Sequence, residues 1–166
     1  MRKGKELSCL RTPVIVSVLL GIFLLPALAS LVWAQTAAEF SGQWQQDNDR
    51  CQPKHSGEVV LRIEQNGAGL TVETSISRGS QNSRHAVQRY TTDGRVSVST
   101  GADGDEFHTS VVWKDSALIF SIEEHEEGRI LRSQEVWSVI DNGTTLQRIR
   151  EHPDGEKQVL IFRRQQ

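Results

Sequence analysis

Glu58-Val59-Val60-Leu61-Arg62-Ile63-Glu64-Gln65-Asn66-Gly67-Ala68-Gly69-Leu70-Thr71-Val72-Glu73-Thr74-Ser75-Ile76-Ser77 is the stretch that decides the fold. Val59, Leu61 and Ile63 alternate with Val60, Arg62 and Glu64; beyond the turn, Leu70, Val72 and Ile76 stand against Thr71, Glu73 and Ser77. A period of two marks a strand with one face inward and the other in water. Asn66-Gly67-Ala68-Gly69 supplies the positive-φ positions of a tight hairpin.

The same design repeats outward in both directions. Turn signals recur every 8 to 14 residues, at Arg78-Gly79-Ser80, Asp93-Gly94, Gly101-Ala102-Asp103-Gly104, Lys114-Asp115-Ser116, Glu127-Gly128, Asp141-Asn142-Gly143 and Pro153-Asp154-Gly155. Between them, β-branched and aromatic runs predict strands at 40–46, 58–65, 70–77, 84–91, 95–99, 107–113, 117–124, 129–140, 144–151 and 157–163. No segment carries a helical period with caps. A meander of so many short strands must pair off its edges, and an antiparallel up-and-down β-barrel of about 8 to 10 strands does so directly.

Ahead of the meander, Arg2, Lys3, Lys5 and Arg11 precede the 22 charge-free residues Pro13 to Ala34. A basic n-region, an apolar core interrupted by Pro26 and small residues after it predict a signal peptide over 1–34 and an exported domain over 35–166. Cleavage after Ala29 or after Ala34 fits. The second is preferred because Val32 and Ala34 occupy the recognition positions and polar Gln35 follows. An uncleaved anchor is the alternative, since the run exceeds the ~18 residues of a membrane span; no stable insertion of the mature chain is expected. Cys9 precedes the apolar run, so it is not a lipidation site. Removing the leader leaves a net charge of about −5. Without a basic stripe, no nucleic-acid partner is expected. Cys51 alone then remains, so no internal disulfide braces the domain.

Gly42-x-Trp44 on the first strand, an all-β meander of this length and Arg163-Arg164 at the end of the last strand resemble the calycin superfamily of lipocalins and fatty-acid-binding proteins. Tyr90-Thr91-Thr92-Asp93-Gly94, Val112-Trp113-Lys114-Asp115-Ser116-Ala117-Leu118 and Glu135-Val136-Trp137-Ser138 with Asp141-Asn142-Gly143-Thr144-Thr145-Leu146 are also similar to a set of exported bacterial lipocalin-like proteins. The resemblance implies that Trp44 closes one end of the barrel, with Arg163 or Arg164 packed over it. Residues 47–57 are too few for the helical lid of fatty-acid-binding proteins, and the Arg-x-Tyr carboxylate clamp near their C-terminus is absent.

Several chemistry-bearing groups read as ordinary surface. Glu123-Glu124-His125-Glu126-Glu127 reads as a solvated hairpin tip, because successive strand residues point to opposite faces. Asp103-Gly104-Asp105-Glu106 lacks the alternating acids and distal Glu of an EF-hand loop and reads as a turn. Cys51 and His55 lack an evident third orienting group, and no Gly-x-Ser-x-Gly elbow occurs. We therefore expect no catalytic residue, metal ligand or cofactor.

Polar residues on strand faces are the remaining signal. Leu146, Arg148 and Arg150 share one face; on 129–140, either Ile130, Arg132, Gln134 and Val136 or Arg129, Leu131, Ser133, Glu135 and Trp137 do. If the arginine-bearing faces are luminal, Arg132, Arg148 and Arg150 with Tyr90 and Trp113 make a pocket for a small molecule with an acidic head and an apolar body. If they are exterior, the arginines are cross-strand partners of Glu64, Glu135 or Glu151. The expectation is an exported, periplasmic or secreted, non-enzymatic carrier of an amphipathic or lipid-like molecule. The alternatives are a surface or edge-strand interaction module of the cell envelope, with its protein partner unspecified, and an enzyme using His85 or His108 as a luminal base.

Overall fold

Ten antiparallel strands follow one another in the computed structural model, which describes residues 38–78, 83–101 and 104–166. The signal peptide expected over 1–34 lies outside the described residues. The strands are β1 (Gly42–Gln46), β2 (Glu58–Asn66), β3 (Gly69–Ser77), β4 (Ser83–Thr91), β5 (Asp93–Thr100), β6 (Glu106–Lys114), β7 (Ala117–Glu126), β8 (Arg129–Ile140), β9 (Thr145–Glu151) and β10 (Lys157–Arg164). A 3-10 turn at Asp141–Gly143 is the helical element among the described residues, and none there is long and apolar enough to cross a membrane.

The sheet runs β4-β3-β2-β1-β10-β9-β8-β7-β6-β5. Each hairpin follows from a turn read in the sequence; the curl into a barrel depends on β1, which pairs with β2 on one side and β10 on the other. The register sets Trp44 opposite both Leu61 and Arg164. β4 and β5 stand at the two ends of the order, so the nearly closed up-and-down barrel has one unlaced seam.

Alternation carries Leu61, Ile63, Leu70, Val72, Val111, Leu118, Phe120, Trp137, Leu146 and Phe162 inward, where they pack with Phe40 and Trp44. One end of the barrel is solid. Phe40 and Trp44 are fully buried there, the Trp44 indole N–H donates to the Phe40 carbonyl at 2.9 Å, and the Arg164 guanidinium lies 4.1 Å from the Trp44 ring centre. Arg164 also donates to the carbonyls of Gly143, Ser41 and Glu39, tying the chain entry, the β8–β9 turn and the last strand together. Arg163, one residue earlier, necessarily points outward; it pairs with Asp47 at 2.6 Å. Of the two candidates for the position over Trp44, Arg164 occupies it, and the alternative of Arg163 is corrected.

Gly42 is required by that closure. Its φ is +136°, and a Cβ there would lie 2.8 Å from Arg164 Nη1. Gly42→Ala is expected to cost about 1–3 kcal/mol through backbone strain and the displaced guanidinium, read as a lower urea midpoint with unchanged m. A midpoint equal to wild type would show that the Gly42–Arg164 contact is slack.

Residues 47–57 form no helix; they run as turns along β10, with a bridge from Gln52 to Val159. Cys51, within this segment, is buried. Its thiol donates to the Asp47 carbonyl at 3.2 Å and accepts from the Ile161 amide at 3.4 Å. His55 instead meets Gln158, so Cys51 is a packing residue with no histidine to activate it.

Candidate functional site

Beyond the Trp44 plug, the barrel encloses a cavity of about 560 Å³. Its apolar wall includes Val59, Val72, Ile76, Phe107, Phe120, Ile122, Leu160 and Phe162, contributed by five different strands. Polar groups converge on it from β4, β8, β9 and β10: Tyr90, Glu135, Arg148, Arg150 and Gln158. A mostly apolar cleft in the ~300–1,000 Å³ range with a few placed polar groups is the usual form of a small-molecule site.

Glu135 of β8 and Arg148 of β9 form its central pair. Arg148 Nε donates to Glu135 Oε1 at 2.6 Å, with the carboxylate side chain 6% exposed and the guanidinium 19%. The guanidinium also stacks on the Trp137 ring, 4.4 Å from its centre. Burial alone raises the Glu135 carboxyl, but the adjoining Arg148 charge and hydrogen bond, with Arg150 behind them, overcome this and hold it below the usual carboxylate range. The folded-state pKa is the lower one. The pair therefore stabilises the fold above the ordinary carboxylate pKa, and this contribution is lost as pH falls through the depressed value.

Arg150 is placed differently. Its Nη2 reaches the Ser133 hydroxyl only at 3.5 Å, and its Nε is shielded from solvent without a hydrogen-bond partner among the described residues. Of the described charged residues lining the cavity, Arg78, Arg148 and Arg150 are cationic and Glu135 is the one anion. With Arg148 matched to Glu135, the interior keeps a cationic surplus. Tyr90 packs edge-on against Phe120 at 5.4 Å; burial, helped by Glu135, pushes its hydroxyl up to about 12 despite the opposing arginines, so it stays a neutral hydrogen-bonding group.

The structure brings Tyr90, Arg148 and Arg150 to the cavity and leaves out two residues expected beside them. Arg132 belongs to the outer face of β8, paired with Glu123 at 2.8 Å and 70% exposed. The inward parity of that strand is the one carrying Glu135 and Trp137. Trp113 points inward at the plugged end, 5.8 Å from Phe40, and packs against the core. The sequence leaves Glu135 as an exterior partner or one member of an unassigned face; its cross-strand pairing with Arg150 and its bond to Arg148 depend on the β8–β9 register. His85 meets Ser75 on an exposed face and His108 meets Glu106, also outside the cavity, which removes both as luminal bases.

No protein-family model and no curated protein matches the sequence. Solved structures do match. The "REP1-NXSQ fatty acid transporter" shares 15% identity over 78% of this chain and 98% of its own, with a TM-score of 0.60. "Human cRBP IV" shares 18% over 77% and 99%, with a TM-score of 0.56. Fatty-acid-binding protein 1 of Echinococcus granulosus shares 10% over 75% and 96%, with a TM-score of 0.55. Identities this low speak for architecture alone, and together with the ten-strand meander they establish that the chain folds as a calycin-like β-barrel.

Proposed function

We propose that this barrel is an exported, non-enzymatic carrier that holds one amphipathic, lipid-like molecule, with its acidic head at Arg150 and its apolar body along Phe107, Phe120 and Leu160. The observation that carries the reading is the cationic surplus of a cavity walled mainly by apolar surface, focused on an Arg150 Nε without a hydrogen-bond partner among the described residues. A buried donor left unmade costs about 1–3 kcal/mol, and a bound carboxylate recovers it. The fold likeness to proteins titled as a fatty acid transporter and a fatty-acid-binding protein supports the same class of ligand. Export is supported by the basic n-region and charge-free run at residues 1–34.

The test is native mass spectrometry with displacement of a fluorescent fatty acid, comparing hexadecanoate with hexadecanol. We expect a 1:1 complex and at least a tenfold preference for the carboxylate. Failure of both ligands to bind, or equal affinity for the two, would reject the acidic-head carrier.

One observation favours an interaction module instead. Val96 and Val98, 60% and 59% exposed, stand with Val112 on the outer face of β5 and β6 beside the unlaced seam. Sedimentation separates the readings: a ligand-binding monomer supports the carrier, whereas a discrete oligomer without ligand supports the module.

A further inference from the structure

On the outside of the barrel, toward its open end, β6 and β7 assemble a second polar cluster that a lipid carrier does not use. Their antiparallel register sets Glu106 opposite His125 and His108 opposite Glu123. Phe107 and Ile122 of the same strands line the cavity, so by alternation Glu106, His108, Glu123 and His125 share the outer face. The acidic run Glu123 to Glu127 is thereby split between faces. Its outer members meet two residues from a strand 15 or more positions away.

The four side chains are not equivalent. Arg132 of β8 donates to Glu123 at 2.8 Å and engages that carboxylate. Glu106 Oε1 lies 2.5 Å from His108 Nε2. The His108 and His125 rings stack with centres 4.4 Å apart and planes 26° from parallel. His125 Nε2 is shielded from solvent and has no hydrogen-bond partner among the described residues; Glu123 Oε2 is 3.9 Å away. A simple Glu106–His108 pair explains one ring, but it leaves the stacked second ring with a buried nitrogen unsatisfied.

One donor atom from each of Glu106, His108 and His125 lies within 4.8 Å of the others. Ligands about 2.0–2.2 Å from a tetrahedral centre stand roughly 3.3–3.6 Å apart, so modest side-chain rotation that opens the Glu106–His108 pair and turns His125 toward it makes room for an ion between the three. The backbone of a continuous sheet needs no change, because two residues at i and i+2 and a cross-strand neighbour already project together. Val98 and Ile130, opposite His108 and His125 on the flanking strands, provide apolar borders. We infer that Glu106, His108 and His125 form a binding site for a divalent transition-metal ion of the zinc class. Two imidazoles and one carboxylate suit such an ion better than calcium or magnesium, which take oxygen ligands almost throughout. Three protein donors leave a fourth position for water.

The experiment titrates the full chain, without a histidine tag, with Zn²⁺ against a chromophoric chelator, and with Co²⁺ by visible absorption. One ion per chain at about micromolar affinity, with the intense Co²⁺ bands of a tetrahedral site, is the expected result. His108→Ala and His125→Ala should each weaken Zn²⁺ at least tenfold, while His85→Ala and His152→Ala should not. A measurement on the unsubstituted chain guards against misfolded variants: Zn²⁺ should protect His108 and His125, but not His85 and His152, from diethyl pyrocarbonate, as mapped by mass spectrometry. Absence of saturable uptake below millimolar Zn²⁺, unchanged affinity in the double alanine variant, or protection that spares His108 and His125 would each overturn the site.

Discussion

Trp44→Ala is expected to lower stability by about 3–5 kcal/mol, the range for removing a fully buried large aromatic with partial collapse of the space left behind. Trp44 has no exposed surface, its N–H satisfies the Phe40 carbonyl, and its ring carries the Arg164 guanidinium. Its loss therefore combines a cavity, an orphaned acceptor and a displaced cation. A domain of this kind has about 5–15 kcal/mol in total, so the variant should lose roughly 2 M from its urea midpoint at an m of about 2 kcal/mol/M. Trp44→Phe keeps most of the ring volume and should cost much less. A Trp44→Ala midpoint within about 0.5 M of wild type would show that the plugged end does not hold the barrel together.

Arg150→Met should weaken hexadecanoate binding about 10–100-fold and leave hexadecanol within about threefold. A hydrogen bond to a charged partner contributes about 1.5–3 kcal/mol, each 1.4 kcal/mol being tenfold. Methionine keeps an unbranched apolar stem on the wall while removing the charge, and the Arg148–Glu135 pair stays intact. Stability should change little, because a half-buried cation with incomplete partners is removed together with its attraction for the Glu135 carboxylate. Equal weakening of both ligands would mean that Arg150 shapes the cavity rather than reading an acidic head. The contrast with Arg148 is instructive: removing that side chain strands Glu135 in the interior, so a binding defect there would be mixed with a folding defect.

Most of the architecture was legible because its causes are local. The Val59–Ile63 and Leu70–Val72 alternation, with Asn66-Gly67-Ala68-Gly69 between, specifies a hairpin, and the other turns mark strands that lie within a few residues of those observed. The candidate site was legible only in part. On β9, Leu146, Arg148 and Arg150 share a face under any register, but β8 carries apolar residues on both parities. Ile130 and Val136 compete with Leu131 and Trp137, so the strand pattern alone could not choose between Arg132 and Glu135 as the luminal group. Arg163 and Arg164 posed the same problem at the plugged end.

The amino-acid sequence by itself determined that this chain makes short antiparallel strands joined by tight turns, and that Gly42 and Trp44 belong to the first of them. Turn chemistry and period-two patterning act over a few residues and need no distant partner. Only the tertiary structure decided which parity of each strand faces inward, that Arg148 meets Glu135 while Arg150 stays incompletely paired, and that Glu106, His108 and His125 meet outside. These outcomes depend on how the sheet closes through β1, β2 and β10 and on the register of neighbouring strands. A slip of one residue in that register exchanges the two faces of a strand, so non-local pairing decides what local pattern leaves open.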